Sequence, residues 1–246
     1  MVIRLVKGSL LFFPVLTGLF WLGTPLGFWG AMCLALLLEL LPVLALAQLP
    51  LADEEVPLPR IPVYVSSAVV ILGIGGIGLL VGWSEFGLGS MGLEPAPWMS
   101  VARWTGVLTF SALALLWAFF LFRKAAGISE SPLLVQLLPK TRGEKVVFVF
   151  LSFSAGVGEE LAYRGFLVPA LSLVLGWSWG AALLSSAVFG LLHAYQGWLG
   201  VIRTTALGLV LAGSFILTGV LWPAIITHAI LDVIAGIILG DTLVKE

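Results

Sequence analysis

The sequence predicts an all-α protein, a polytopic membrane helix bundle of about eight transmembrane helices. Three observations lead there. Only 10% of the 246 residues are charged and 60% are hydrophobic, where a soluble domain carries about 25% charged residues. Mean hydropathy is +1.14. The apolar residues fall into runs near the ~20 residues that a helix needs to cross a bilayer, separated by short stretches rich in charge, Pro or Gly. Formal net charge is −1 and there is no basic stripe, so no nucleic-acid partner is expected. The single cysteine, Cys33, excludes an intramolecular disulfide and a Cys-rich metal site. It reads as a small apolar core residue.

Residues 8–50 are too long for one span, and Gly23-Thr24-Pro25 divides them into helices over 6–22 and 26–48. Arg4 and Lys7 precede an apolar run, as in a signal peptide. No small-residue cleavage site follows closely, so we read a first transmembrane helix. An acidic, proline-rich loop follows (Asp53, Glu54, Glu55, Pro57, Pro59). Helices are expected over about 61–83 and 99–122, joined by a loop with Glu85, Glu94, Pro95 and Pro97. Trp21, Trp83, Trp98 and Trp177 near helix ends fit interfacial anchors.

The longest polar segment is 123–145, with Arg123, Lys124, Lys140, Arg142 and Lys145 against Glu130 and Glu144. The positive-inside rule puts it in the cytoplasm. Arg4 and Lys7 put the N-terminus there too, and four intervening spans make the two assignments agree. With eight spans both termini are expected to be cytoplasmic. The expected organisation is a scaffold over 1–122, a basic cytoplasmic loop over 123–145, and a membrane core over 146–240. In that core helices are expected over about 144–162, 177–194, 200–218 and 221–240. The stretch 165–175, with Pro169, reads as a short broken helix or a continuation bent at Gly165.

The core carries the chemistry. Between Val146 and Gly240 the only charged residues are Glu159, Glu160, Arg164, Arg203 and Asp232, and the only two histidines of the chain, His193 and His228, lie there too. Ionisable groups in hydrocarbon cost roughly 2.5–3.5 kcal/mol each on insertion scales, so they mark function by default. Glu160 and Arg164, four apart, can pair on one helix face. Glu159 lies ~100° round the helix and can face something else. Phe189 and His193 are again four apart, as are His228 and Asp232. Asp232 can accept a hydrogen bond from His228 and fix its ring. Glu159, His193, His228 and Asp232 together contain what peptide hydrolysis requires: a group that takes a proton from water, one that positions the water, and donors for an oxyanion.

Glu159-Glu160-x-x-x-Arg164, Phe189-x-x-x-His193 and His228-x-x-x-Asp232, in that order on membrane helices, resemble the CAAX-protease and bacteriocin-processing family of intramembrane endopeptidases. Gly158, Tyr163, Gly165 and Leu167 also fit its first motif. The likeness covers about 145–240. It implies that Glu159, with His193, activates water, that His228 stabilises the oxyanion, and that Glu160, Arg164 and Phe189 support them. In the prenyl-protein processing members the residue at Asp232 is Asn. An ionised Asp has no hydrogen to donate, so orienting His228 is the role left to it. Two His and two carboxylates can hold Zn²⁺. There is no H-E-x-x-H helix, however, and the resemblance implies a glutamate-type enzyme with no metal or other cofactor. The expected partners are a protein or peptide substrate in or near the membrane and the bilayer itself, in a bacterial-type cytoplasmic membrane. Two other readings use the same residues: a non-enzymatic immunity or assembly protein, and a proton-coupled transporter with the carboxylates and histidines as its relay.

Gly73-Ile74-Gly75-Gly76-Ile77-Gly78 has the G-x-G-x-x-G form but lies in an apolar run rather than at a strand-to-helix turn, so it is not read as a dinucleotide site. Gly78-x-x-x-Gly82 is read as a close helix-packing face.

Overall fold

The computed structural model describes residues 2–51, 58–238 and 240. Among them every regular element is a helix. In chain order these are α1 (Val2–Gly23), α2 (Phe28–Gln48), α3 (Arg60–Ser90), α4 (Trp98–Ala126), a six-residue α5 (Pro132–Leu137), α6 (Arg142–Leu175), α7 (Ser178–Leu192), α8 (Gly197–Thr218) and α9 (Trp222–Ile238). The helices α1 to α4, α6 and α8 are long and apolar enough to cross a membrane, and α7 and α9 are shorter apolar helices. Leu11, Leu22, Val69 and Phe110 are more than 60% exposed on the outside of the bundle. In water such a surface would aggregate; in a bilayer it is solvated. The chain is an integral membrane protein.

Helix α6 is the central element. It begins with a capping box: Glu144 N donates to Thr141 Oγ1 at 3.2 Å, and Thr141 N donates to Glu144 Oε2 at 2.8 Å. Two orphan donors are thereby satisfied. The helix does not break at Gly165. It widens into a π-helical stretch over Leu161–Leu167 and continues to Leu175, ending at Gly176 in the left-handed conformation (φ 65). π-Helical turns concentrate at functional sites; of the three among the described residues, the others lying at Leu36–Leu40 in α2 and Ile234–Ile238 in α9, this one follows Glu160 directly. Helix α3 lies along one side of α6 and α9 along another, while α7 and α8 form a hairpin.

Two expectations about loops change. The stretch 84–98 is helical as far as Ser90, with a kink at Gly87, and Glu85 has a structural task. It accepts from Gly27 N at 2.9 Å and Gly30 N at 3.1 Å, so a carboxylate stands at the N-terminus of α2, where the helix dipole favours it. The 123–145 segment is not only a charged loop. Its apolar Pro132–Leu137 forms α5, which is tied to α3 by Arg60 Nε donating to Gln136 O (2.6 Å) and Tyr64 Oη donating to Leu137 O (2.6 Å). Cys33 is buried in the apolar core. Asp53, Glu54, Glu55 and Pro57 of the expected acidic loop lie outside the described residues.

Candidate active site

Glu160 and Arg164 are both fully buried, and Arg164 Nη1 donates to Glu160 Oε1 at 2.7 Å. The i,i+4 pairing read from the spacing is present. The guanidinium also lies over the Phe189 ring, 4.5 Å from its centroid. Phe189 is a hub. Its ring is 4.7 Å from that of His193, 5.9 Å from that of His228 and 5.2 Å from that of Tyr163. Packing against one rigid aromatic, tilted for His193 and edge-on for His228, constrains both imidazoles and the cation at once.

His228, on α9, is held differently from the sequence expectation. Its Nδ1 lies 2.7 Å from Glu160 Oε1, whereas Asp232 Oδ2 stands 3.8 Å from Nε2, beyond hydrogen-bond length. The orienting carboxylate is Glu160, 68 residues away in sequence, rather than Asp232 on the same helix. The reason is competition for the ring. The buried Glu160 carboxylate has few partners to choose from, while the Asp232 side chain is 38% exposed and retains other means of solvation. A carboxylate can accept only, so Nδ1 carries a hydrogen; two more carboxylates face Nε2, and the imidazolium, with a hydrogen on each nitrogen, is the form that answers all three. Glu159 Oε2 lies 3.5 Å from that Nε2 and has no hydrogen-bond partner among the described residues.

His193 stands at the C-terminal end of α7. Its Nδ1 lies 2.9 Å from Phe189 O. The carbonyl accepts, so Nδ1 donates, and the neutral ring presents Nε2 as an acceptor. Glu159, His193, His228, Asp232 and Phe189 line one cavity of about 890 Å³, closed on other sides by apolar residues such as Leu133 and Phe148. Glu160 and Arg164 do not line it; they stand behind His228. The cavity thus presents a carboxylate, an imidazole acceptor and an imidazole that can donate, held by three different helices. Among the described residues no group of three or more His, Cys, Asp or Glu side chains is arranged to hold a metal ion.

Glu130, Tyr195, Gln196 and Arg203 also line the cavity, and the sequence reading gave them no role. Arg203 was visible as the remaining charge in the core. Nothing local marked Tyr195 or Gln196 beyond their position just after His193.

No curated protein matches the chain, and no solved structure does. Residues 141–234 match the Rce1-like family model, described as type II CAAX prenyl endopeptidase Rce1-like. That range holds the whole of the buried Glu160–Arg164–His228 arrangement and the cavity-lining Glu159, His193 and Asp232, so over this segment, and with its site residues, the chain is similar to the Rce1-like type II CAAX prenyl endopeptidases.

Proposed function

We propose that the chain is an endopeptidase that hydrolyses a peptide bond of a membrane-associated protein or peptide, using Glu159 and His193 to activate water and His228 to stabilise the oxyanion. The observation that carries this reading is the convergence of these three side chains, from α6, α7 and α9, on one cavity. A water held by Glu159 and His193 Nε2 gives a proton to Glu159 as its oxygen attacks the scissile carbonyl carbon. The C=O becomes an oxyanion that accepts a hydrogen bond from His228 Nε2–H. As the C–N bond breaks, the protonated Glu159 returns the proton to the leaving amine nitrogen. Asp232, facing the same His228 Nε2 at 3.8 Å, contributes charge beside the ring rather than a bond to the oxyanion. We read the enzyme as glutamate-type, with no metal in the reaction. Its setting is a bacterial-type cytoplasmic membrane with both termini on the cytoplasmic side, a reading supported by Arg123, Lys124, Lys140, Arg142 and Lys145. The substrate must be locally extended at the cleaved bond, because helical hydrogen bonds occupy the amide.

The test compares protein termini in membranes of cells carrying the native chain or Glu159→Gln. A discrete set of termini is expected to vanish in the variant while the protein stays in the membrane, and chelators are expected to leave cleavage by the native chain unchanged. Identical termini in both cells would sink the protease reading. Loss of cleavage on chelation, restored by added metal, would sink the glutamate-type mechanism.

A further inference from the structure

The proposed reaction develops charge on one oxygen, and the groups facing the cavity beside it are short of donors. Ionised Glu159 and Asp232 accept only. His193 Nε2 is an acceptor in the neutral ring, so of these four groups only His228 donates; Arg203, also on the wall, gives hydrogens to Glu130 Oε1 and Gln196 Oε1. The hydroxyls of Tyr64 and Ser152 also line the cavity, but they give their hydrogens to Leu137 O and Phe148 O.

Tyr195 is different, and the polarity of its neighbours shows why. Arg203 can only donate, so the Gln196 atom that its Nη2 meets at 3.1 Å is Oε1. The other end of that amide is therefore Nε2, which also only donates, and it lies 3.2 Å from Tyr195 Oη. The phenol oxygen is the acceptor in this contact, and its own hydrogen is left to point elsewhere. Arg203 is in turn fixed by Glu130 Oε1 at 3.0 Å, an oxygen that also meets Arg123 Nε at 3.5 Å. The backbone is fixed as well. Ser131 Oγ donates to Tyr195 O at 2.7 Å, and Gln196 N to His193 O at 2.9 Å, closing the 3₁₀ turn Ala194–Gln196. The Tyr195 ring stands 6.0 Å from the His193 ring, tilted by 34°, on the wall of the same cavity.

We propose that Tyr195 is a second oxyanion donor, its O–H aimed at the substrate carbonyl by a fixed chain from Glu130 through Arg203 and Gln196. Tyr195 would touch the reacting atoms; Gln196, Arg203 and Glu130 are positioning residues. The proposal rests on the protease reading above, and its test separates the two.

The probe is a synthetic peptide spanning a junction whose new terminus vanishes in Glu159→Gln cells, cleaved by the full chain reconstituted in liposomes. If Glu159→Gln removes no terminus, the protease reading fails and Tyr195 falls with it. Where the reading holds, Tyr195→Phe is expected to lower kcat by about 10²–10³-fold with little change in KM and an unchanged melting temperature. Gln196→Glu is the sharper variant. It keeps the shape, but both of its oxygens accept, so it takes hydrogens from Arg203 and from Tyr195 and turns the phenol hydrogen away from the cavity. It is expected to lower kcat by a similar factor with Tyr195 intact, and the double variant is expected to be no slower than the worse single. Native kcat in either single variant, or a loss confined to KM, overturns the proposal.

Discussion

Glu160 holds His228 across 68 residues: Nδ1 of the imidazole lies 2.7 Å from Glu160 Oε1, the same oxygen that Arg164 Nη1 reaches at 2.7 Å. One buried carboxylate oxygen thus neutralises a cation on its own helix and orients an imidazole on another. Glu160→Gln removes the charge while keeping the size, and it leaves Arg164 fully buried without its counter-ion. Breaking a buried pair from one side costs about 3–5 kcal/mol, so the purified variant is expected to melt well below the native protein. Adding Arg164→Met removes the stranded charge and is expected to recover much of the stability. It should not recover full cleavage, because the neutral amide can still accept from His228 Nδ1 but no longer places a negative charge beside the imidazolium. A Glu160→Gln protein as stable as native would contradict the shared role of this oxygen.

Asp232 is expected to be the most replaceable of the cavity carboxylates. At 3.8 Å from His228 Nε2 it makes no hydrogen bond to the ring that Glu160 already orients. Asp232→Asn keeps the shape and supplies an N–H, and peptide cleavage is expected to stay within about an order of magnitude of native. His228→Ala, which removes an oxyanion donor, is expected to lose about 10²–10³-fold. Rate measurements on the two variants with one peptide decide the matter. If Asp232→Asn falls as far as His228→Ala, then Asp232 acts in the chemistry and Glu160 alone does not set the ring.

What could be read in the sequence here was local. A helix repeats its faces every three to four residues, so the Glu160–Arg164 and Phe189–His193 contacts are both written in spacing of four. The same rule suggested His228–Asp232, and the two do face each other at 3.8 Å, but the hydrogen bond goes to Glu160, because spacing says which residues can meet but not which of two carboxylates a ring prefers. That choice depends on burial, and on how α6 and α9 lie against each other. The π-helical turn after Glu160 has no compositional mark, since Leu161–Leu167 reads as an ordinary apolar helix apart from Arg164. The short α5 was hidden for the opposite reason: the basic residues around it dominated the reading of 123–145 and masked Pro132–Leu137. Runs of apolar residues, by contrast, located the membrane helices directly, because every backbone amide in hydrocarbon must be satisfied within its own segment.

Glu159 is brought to its depth in the bundle by a close approach of two helices. Helices α3 and α6 touch backbone to backbone beside it. A Cβ on Gly158 would stand 2.5 Å from Ile71 O, and one on Gly75 would stand 2.5 Å from Gly158 Cα. Neither obstacle is the end of a flexible side chain, so either methyl must push the two helices apart. Gly158→Ala and Gly75→Ala are each expected to cost about 1–3 kcal/mol by overpacking, read as a lowered melting temperature. Both should also slow cleavage, because the carboxylate next in sequence to Gly158 moves with the helix. Gly73 and Gly76 lie on the same helix and in the same G-x-G-x-x-G run, yet a Cβ on either meets nothing within 4 Å. Gly73→Ala and Gly76→Ala are therefore expected to leave cleavage unchanged and stability equal or higher, since Ala is favoured over Gly in a helix by about 1 kcal/mol. If all four alanine variants behaved alike, the glycines would be acting through helix propensity rather than through close approach, and the α3–α6 contact would not be what positions Glu159.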